Sequence, residues 1–212
     1  ARLAGTIEPS TLGAVVISHL HPDHFIDLVA LRHYLRYEFE PHRHVRVIGP
    51  AGLDDRIDAL HATPGFSAES LDVEPLTDAG AYRVGDLALE VGRIFHTEDS
   101  YASRVTVGAA RRGLVYSGDC GRAEDLDALI RPGDTLLSEV SFGPGPVVPA
   151  AAHLDGPGVG ALASRTGACR VLLTHLQMGF DPDETIRSVE ALYDGPVDLV
   201  WPGDRFDLDT DS

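Results

Sequence analysis

Four metal-ligand side chains stand within six residues at His19-Leu20-His21-Pro22-Asp23-His24, directly behind the apolar run Ala14-Val15-Val16-Ile17. In an extended segment the side chains at i and i+2 point to one side, so His19 and His21 can share a cation, and Pro22 biases His21 towards β geometry. Past Pro22 the chain can turn, which frees Asp23 and His24 to face a second cation. Imidazole and carboxylate at this spacing suit Zn2+, with Mn2+ and Fe2+ as alternatives, whereas an oxygen-only Ca2+ site would not recruit three histidines. The chemistry that such a pair supports is hydrolysis.

The rest of the ligands are expected where strands end further along, because the loops after strands are where a sheet presents functional groups. Three positions qualify. His96 follows the apolar Ile94-Phe95, Asp119 follows Val115-Tyr116-Ser117-Gly118, and His175 follows Val171-Leu172-Leu173-Thr174. Asp119 is the natural bridge, since one carboxylate can give an oxygen to each of two cations, and Gly118 leaves room for close backbone approach.

Strand-like runs and helical patterns alternate along the chain without a low-complexity linker or an obvious repeat, which predicts one α/β domain over 1–212. Strands are expected at 14–18, 45–49, 71–76, 81–84, 87–95, 103–109, 113–117, 135–140, 170–174 and 197–201. Helices are expected at 25–38, 53–61, 123–129, 158–166 and 182–192. Gly85-Asp86 and Arg111-Arg112-Gly113 read as hairpin turns, so the middle of the chain is antiparallel in character. Asp155 before Gly156-Pro157, and Asp181 before Pro182, read as helix N-caps with proline in the first turn, which puts His153 at the mouth of a helix. The stiff run Gly143-Pro144-Gly145-Pro146 is a surface connection that can also rim a pocket.

The chain has 212 residues, a hydrophobic content of 43% and a charged content of 24%, the profile of a soluble globular protein. Neither a membrane span nor a signal peptide is present in it, and the expected compartment is the cytoplasm. A net charge of −16 opposes sequence-independent attraction to a polyanion, so long nucleic acid is a poor partner and a small phosphorylated molecule a better substrate. Arg32, His33, Arg36, His42, Arg43, His44 and Arg46 form a local basic exception, readable as a solvated helix face and loop or as a guide for anionic substrates. Cys120 and Cys169 are too few for a disulfide framework and read as reduced, with Cys120 a small semi-buried thiol.

In this order the motifs resemble the metallo-β-lactamase superfamily, and within it the branch of ribonuclease Z and the cyclic-phosphate phosphodiesterases. The segments that carry the resemblance are ISHLHPDH at 17–24, His96, YSGDC at 116–120, SEVSF at 138–142, His153 and LLTHL at 172–176. The resemblance implies an αββα sandwich with its site at one edge of two packed sheets. It assigns His19, His21 and His96 to one ion, Asp23, His24 and His175 to the other, and Asp119 to both. Glu139 and His153 mark the ribonuclease Z-like branch. A histidine that is not a ligand can donate a proton to a leaving oxygen, and a nearby carboxylate orients it and supports its protonated form. The implied reaction is attack by a hydroxide activated by the two metals on small or cyclic phosphodiesters, with Asp23 both ligating and accepting a hydrogen bond from the nucleophile.

The resemblance has two departures. Only 22 residues separate His96 from Asp119, which leaves no room for the inserted arm with which ribonuclease Z grips tRNA. The sequence also opens close to the metal motif, so Ala1 to Ile7 read as the end of a helix and the N-terminal strands of the fold as lacking, with an exposed sheet edge and apolar surface as the consequence. A homodimer is compatible with the family. The competing functions are hydrolysis of a carboxylic or sulfate ester, lactone or thioester on the same metals, and an inactive metal-binding subunit or sensor.

Overall fold

A computed structural model describes residues 3–148 and 150–208. Contacts between Cα atoms divide the chain into two compact units, Ala1–Thr77 and Asp78–Ser212.

The first unit contains β1 (Ala14–Val16), α1 (Pro22–Phe25), α2 (Asp27–Tyr37), β2 (Val45–Gly49), α3 (Leu53–His61) and β3 (Leu71–Pro75). Its three strands pair in the order β1-β2-β3, all parallel, with Val15 opposite Val47 and Val47 opposite Val73. Ile17, Phe25, Leu28, Leu35, Val47 and Ile57 are among the residues of its buried core. β1 lies at an edge of this sheet, and Val16 on it is exposed. Leu12, Val15, Leu28, Leu31 and Tyr34 line an open groove of about 720 Å3.

Three local readings change in this unit. The helix expected over 25–38 starts earlier and is interrupted at Ile26: Pro22 occupies the first turn of α1, where its missing N–H costs nothing, and α2 begins at Asp27. The stretch from Leu3 to Gly5 is a single 3-10 turn, and Ala1 and Arg2 lie outside the described residues. The basic cluster is largely neutralised by acidic partners. Arg32 is buried, donates to the Phe66 carbonyl at 2.9 Å and pairs with Glu69; Arg36 also meets Glu69 (3.0 Å), while His44 reaches Asp72 (3.0 Å) and Arg46 reaches Glu74 (2.5 Å). These residues are cross-links of the unit, which weakens their reading as an anion guide.

The second unit carries one seven-stranded sheet in the order β10-β9-β8-β7-β6-β5-β4. Its strands are β4 (Ala81–Val84), β5 (Leu87–Arg93), β6 (Tyr101–Val107), β7 (Leu114–Tyr116), β8 (Thr135–Glu139), β9 (Arg170–Thr174) and β10 (Val197–Leu199). From β4 to β7 the pairing is antiparallel through the two expected hairpins, and from β7 to β10 it is parallel. The two regimes show in the burial. β4 alternates between exposed and half-buried, whereas Leu136, Val171 and Leu173 on β8 and β9 are completely buried.

Helices α4 (Gly156–Thr166) and α5 (Pro182–Glu190) contribute Val159, Leu162, Ala163 and Val189 to the same core. Both have the expected N-caps: the Asp155 carboxylate accepts from Gly158 N–H, and that of Asp181 from Glu184 N–H. A Cβ on Gly160 would come within 2.5 Å of the Val189 carbonyl oxygen, so glycine sets the close approach of α4 to α5. The helix expected over 123–129 is only a 3-10 turn at Ala123–Leu126.

Arg104 and Asp134 are both buried, and the guanidinium grips the carboxylate with two bonds of 2.7 and 2.9 Å. Asp134 also accepts from Gly113 N–H (2.7 Å) and Arg131 N–H (2.9 Å), so the pair fastens the β6–β7 hairpin to the start of β8. Without Asp134 the buried guanidinium would keep only Glu90, at 3.3 Å and partly exposed, and the Arg111 carbonyl at 2.8 Å. Asp134→Ala should therefore lower stability by about 3–5 kcal/mol, read as a reduced denaturant midpoint; a change below about 1 kcal/mol would refute this role.

Candidate metal and acid–base centre

In the first unit the motif after β1 remains extended up to His21, whose φ and ψ are −71° and 139°. Alternation brings the two rings together as the spacing predicts: His19 Nε2 lies 3.1 Å from His21 Nδ1. Two nitrogens held at about 2.0–2.1 Å from one tetrahedral cation stand about 3.3 Å apart, so the pair fits a shared ion. His19 is fully buried, and its Nδ1 lies 3.1 Å from the Ser18 hydroxyl, a neighbour that orients the ring. The turn into α1 then swings the next two donors round. The His24 ring is centred 4.1 Å from that of His19, and His24 Nε2 lies 3.6 Å from Asp23 Oδ2.

In the second unit strand direction decides which residues meet. β7, β8 and β9 are mutually parallel, so their C-terminal ends open on one edge, and two antiparallel steps turn β5 to the same direction. His96 lies beyond the end of β5, Asp119 beyond β7 and His175 beyond β9, while Glu139 is the last residue of β8. His153 stands just before α4, on the crossover from β8 to β9. All five candidates of this unit thus gather at one edge, where α/β sheets bind ligands.

The distances follow. Asp119 Oδ2 is 3.7 Å from His96 Nε2 and 3.6 Å from His175 Nε2, beyond hydrogen bonding and close to the spacing of ligands that flank a common cation. Asp119 is buried, and the Gly118 before it takes a φ of +59°. Glycine is therefore used here for a left-handed backbone that lifts Asp119 off the strand end. His175 also has a positive φ, +59°, which costs an L-residue of this kind roughly 1 kcal/mol. Unfavoured backbone of this type collects at functional sites.

The other ring nitrogens are held too. His96 Nδ1 donates to the Ala152 carbonyl at 2.7 Å, which turns Nε2 towards Asp119. His153 is treated differently, because its Nδ1 is 3.0 Å from Glu139 Oε1. That hydrogen bond to a buried carboxylate raises the His153 pKa above its ordinary value against the opposing effect of burial, and the charges of Glu139 and Asp119 add to the rise. His153 also has a ligand atom within 4.8 Å of those of Asp119 and His175, so geometry alone would admit it as a ligand. Its Nδ1 partner is a buried carboxylate, whereas that of His96 is a neutral carbonyl.

The nitrogens and carboxylates brought together in each unit are the donors that Zn2+, Mn2+ and Fe2+ use. Ser141 was not foreseen from the sequence. Its hydroxyl lies 2.6 Å from Glu139 Oε2 and 2.8 Å from His175 Nδ1, contacts that only the folded sheet creates. Cys120 is a structural thiol: burial pushes its pKa up to about 12, and its sulfur lies 3.1 Å from the Arg122 carbonyl. The Gly143–Pro146 run is joined to the head of α4 through Gly156 N–H to Gly143 O (2.8 Å), and Val147 beside it donates its N–H to the Asp155 carboxylate (3.2 Å).

Comparison with known proteins places this architecture in context. A family model described as "Beta-lactamase superfamily domain" matches residues 3–176. An uncharacterised protein of Mycobacterium leprae is 32% identical over 201 residues, 92% of this chain and 70% of the relative. A probable metallo-hydrolase of Bacillus subtilis, YhfI, is 26% identical over 96% of this chain and 84% of its own. The crystal structure of YhfI superposes with a TM-score of 0.82 at 22% identity, covering 95% of this chain and 80% of that one. A diphosphatase of the PhnP family gives a TM-score of 0.65 at 14% identity, covering 93% and 70% of the two chains, and the short form of human tRNase Z gives 0.61 at 20%, covering 81% and 74%. The fold is the mixed α/β metallo-β-lactamase fold, and the chain belongs to the beta-lactamase superfamily of metallo-hydrolases.

Proposed function

We propose that the chain works as a single domain, 1–212, hydrolysing small or cyclic phosphodiesters with two divalent cations, Zn2+ first among them. The observation that carries this reading is the pairing of His153 with the buried carboxylate of Glu139 beside Asp119. An acid of this kind serves a leaving group that needs a proton. In the proposal His19, His21 and His96 would hold one cation, Asp23, His24 and His175 would hold the other, and Asp119 would serve both. The bound cations would supply positive charge to the phosphoryl oxygens and lower the pKa of the attacking water.

The protein's own groups do the rest. Asp23, with most of its carboxylate exposed, accepts a hydrogen bond from the attacking water and directs it at phosphorus. As the bond to the leaving oxygen breaks, His153 gives that oxygen a proton from Nε2, and Glu139 stabilises the ring in its charged form. The net charge of −16 and the short His96-to-Asp119 segment favour a small substrate over long nucleic acid. Among the described residues no helix is long and apolar enough to cross a membrane, and the proposed setting is the cytoplasm.

Bis(p-nitrophenyl) phosphate with added Zn2+ or Mn2+ tests the core of the proposal. Turnover should vanish on chelation, return on metal addition and be abolished in Asp119→Ala; a folded protein loaded with two metals that leaves the diester intact would overturn it, and turnover of a lactone or thioester instead would reassign the substrate.

His153 is examined by changing the leaving group. His153→Ala should slow a diester with an alkyl leaving group by about 10²–10⁴-fold while affecting p-nitrophenolate release far less. Equal losses on both substrates would make His153 a third ligand with Asp119 and His175. Glu139→Gln should move the His153 titration to lower pH in the metal-free protein, seen in its ring-proton NMR shifts, and an unmoved titration would rule out Glu139 as the cause of the raised value.

A further inference from the structure

Ser141 is fully buried two residues beyond the end of β8, and its hydroxyl lies between Glu139 and His175. The direction of its hydrogen bonds can be deduced by counting donors. Glu139 Oε1 receives Cys120 N–H (2.9 Å), Leu154 N–H (3.2 Å) and His153 Nδ1 (3.0 Å), and Oε2 receives Ser141 N–H (2.9 Å). A proton on either carboxylate oxygen would have to compete with these donors, so Glu139 is an acceptor only. The Ser141 hydroxyl, 2.6 Å from Oε2, must therefore donate its one hydrogen there. It has nothing left to donate to His175 Nδ1 at 2.8 Å or to His153 Nδ1 at 3.2 Å and can only accept from them. His175 then carries hydrogen on Nδ1, and Nε2 faces Asp119 at 3.6 Å.

We propose that Ser141 is a positioning residue that fixes His175 as the Nδ1–H tautomer, so that a single hydroxyl links the carboxylate of the proton donor to a histidine of the metal centre. The inference rests on the proposed function for what Nε2 does, but not for the tautomer itself. Rotation of the ring about its outer torsion would exchange the places of its nitrogen and carbon atoms. The acceptor at Nδ1 opposes that rotation. His96 shows the same design with a different acceptor, the Ala152 carbonyl. An outer partner of this kind typically changes metal affinity by about 10–100-fold when it is removed.

The test has one arm without metal and one with it. In the metal-free full chain, 15N NMR should report His175 as the Nδ1–H tautomer; Ser141→Ala should give a mixture, and Ser141→Thr, which keeps the hydroxyl, should restore the single form. In a Zn2+ titration by calorimetry, Ser141→Ala should weaken one of two binding events by about 10–100-fold and leave the other, with Ser141→Thr close to the parent. A parent protein with hydrogen on Nε2, or a Ser141→Ala protein with an unchanged tautomer, overturns the assignment. If the tautomers behave as stated but no Zn2+ binds, the positioning role stands and the metallo-hydrolase reading falls. If Ser141→Ala fails to fold, the tautomer of the parent and of Ser141→Thr still decides.

Discussion

The site edge of the second unit depends on one buried negative charge. Glu139 gathers N–H groups from the loop after β7, from the segment after β8 and from the approach to α4, together with the Ser141 hydroxyl and the His153 ring. Taking a carboxylate out of water costs several kcal/mol unless its oxygens are satisfied, and here each oxygen has at least two donors. The same charge therefore sets the position of the backbone beside Asp119, the approach to α4 and the protonation of His153. Structural and chemical roles coincide in it, because β8 lies between β7 and β9 in the sheet.

Around that charge the histidines are distinguished by what stands behind them. His96 is backed by a peptide carbonyl, His175 by a hydroxyl and His153 by a carboxylate. Each partner fixes the orientation of its ring, and the carboxylate also raises the pKa of His153. Residues of a single type are thus distinguished by contacts on the far side of the ring.

Much of this was legible in the sequence, for identifiable reasons. The H-x-H-x-D-H spacing works because an extended chain alternates its side chains, and His19 and His21 meet as that rule requires. Glycine, proline and aspartate punctuation located the hairpins and both N-caps. Other features needed the fold. The partners of Arg32, Arg36, His44 and Arg46 lie 28 to 37 positions away, so an apparent basic patch turned out to be a set of ion pairs. Helical periodicity over 25–38 concealed the interruption at Ile26, since the residues on both sides share one buried face. Nothing in the sequence around Ser141 or His175 announces their contact, which is made by parallel strands, or the left-handed backbone of the histidine.

The direction of the strands has a practical side. Because the donors of the second unit occupy the end where β5, β7 and β9 finish, the tight β4–β5 turn at Gly85-Asp86 and the β6–β7 turn at 108–113 are both at the opposite end of the same sheet. The length of the sheet separates them from those donors. A fluorophore, an affinity handle or a surface tether attached at the Gly85-Asp86 tip would hold the second unit with the edge that carries these donors facing away from the support.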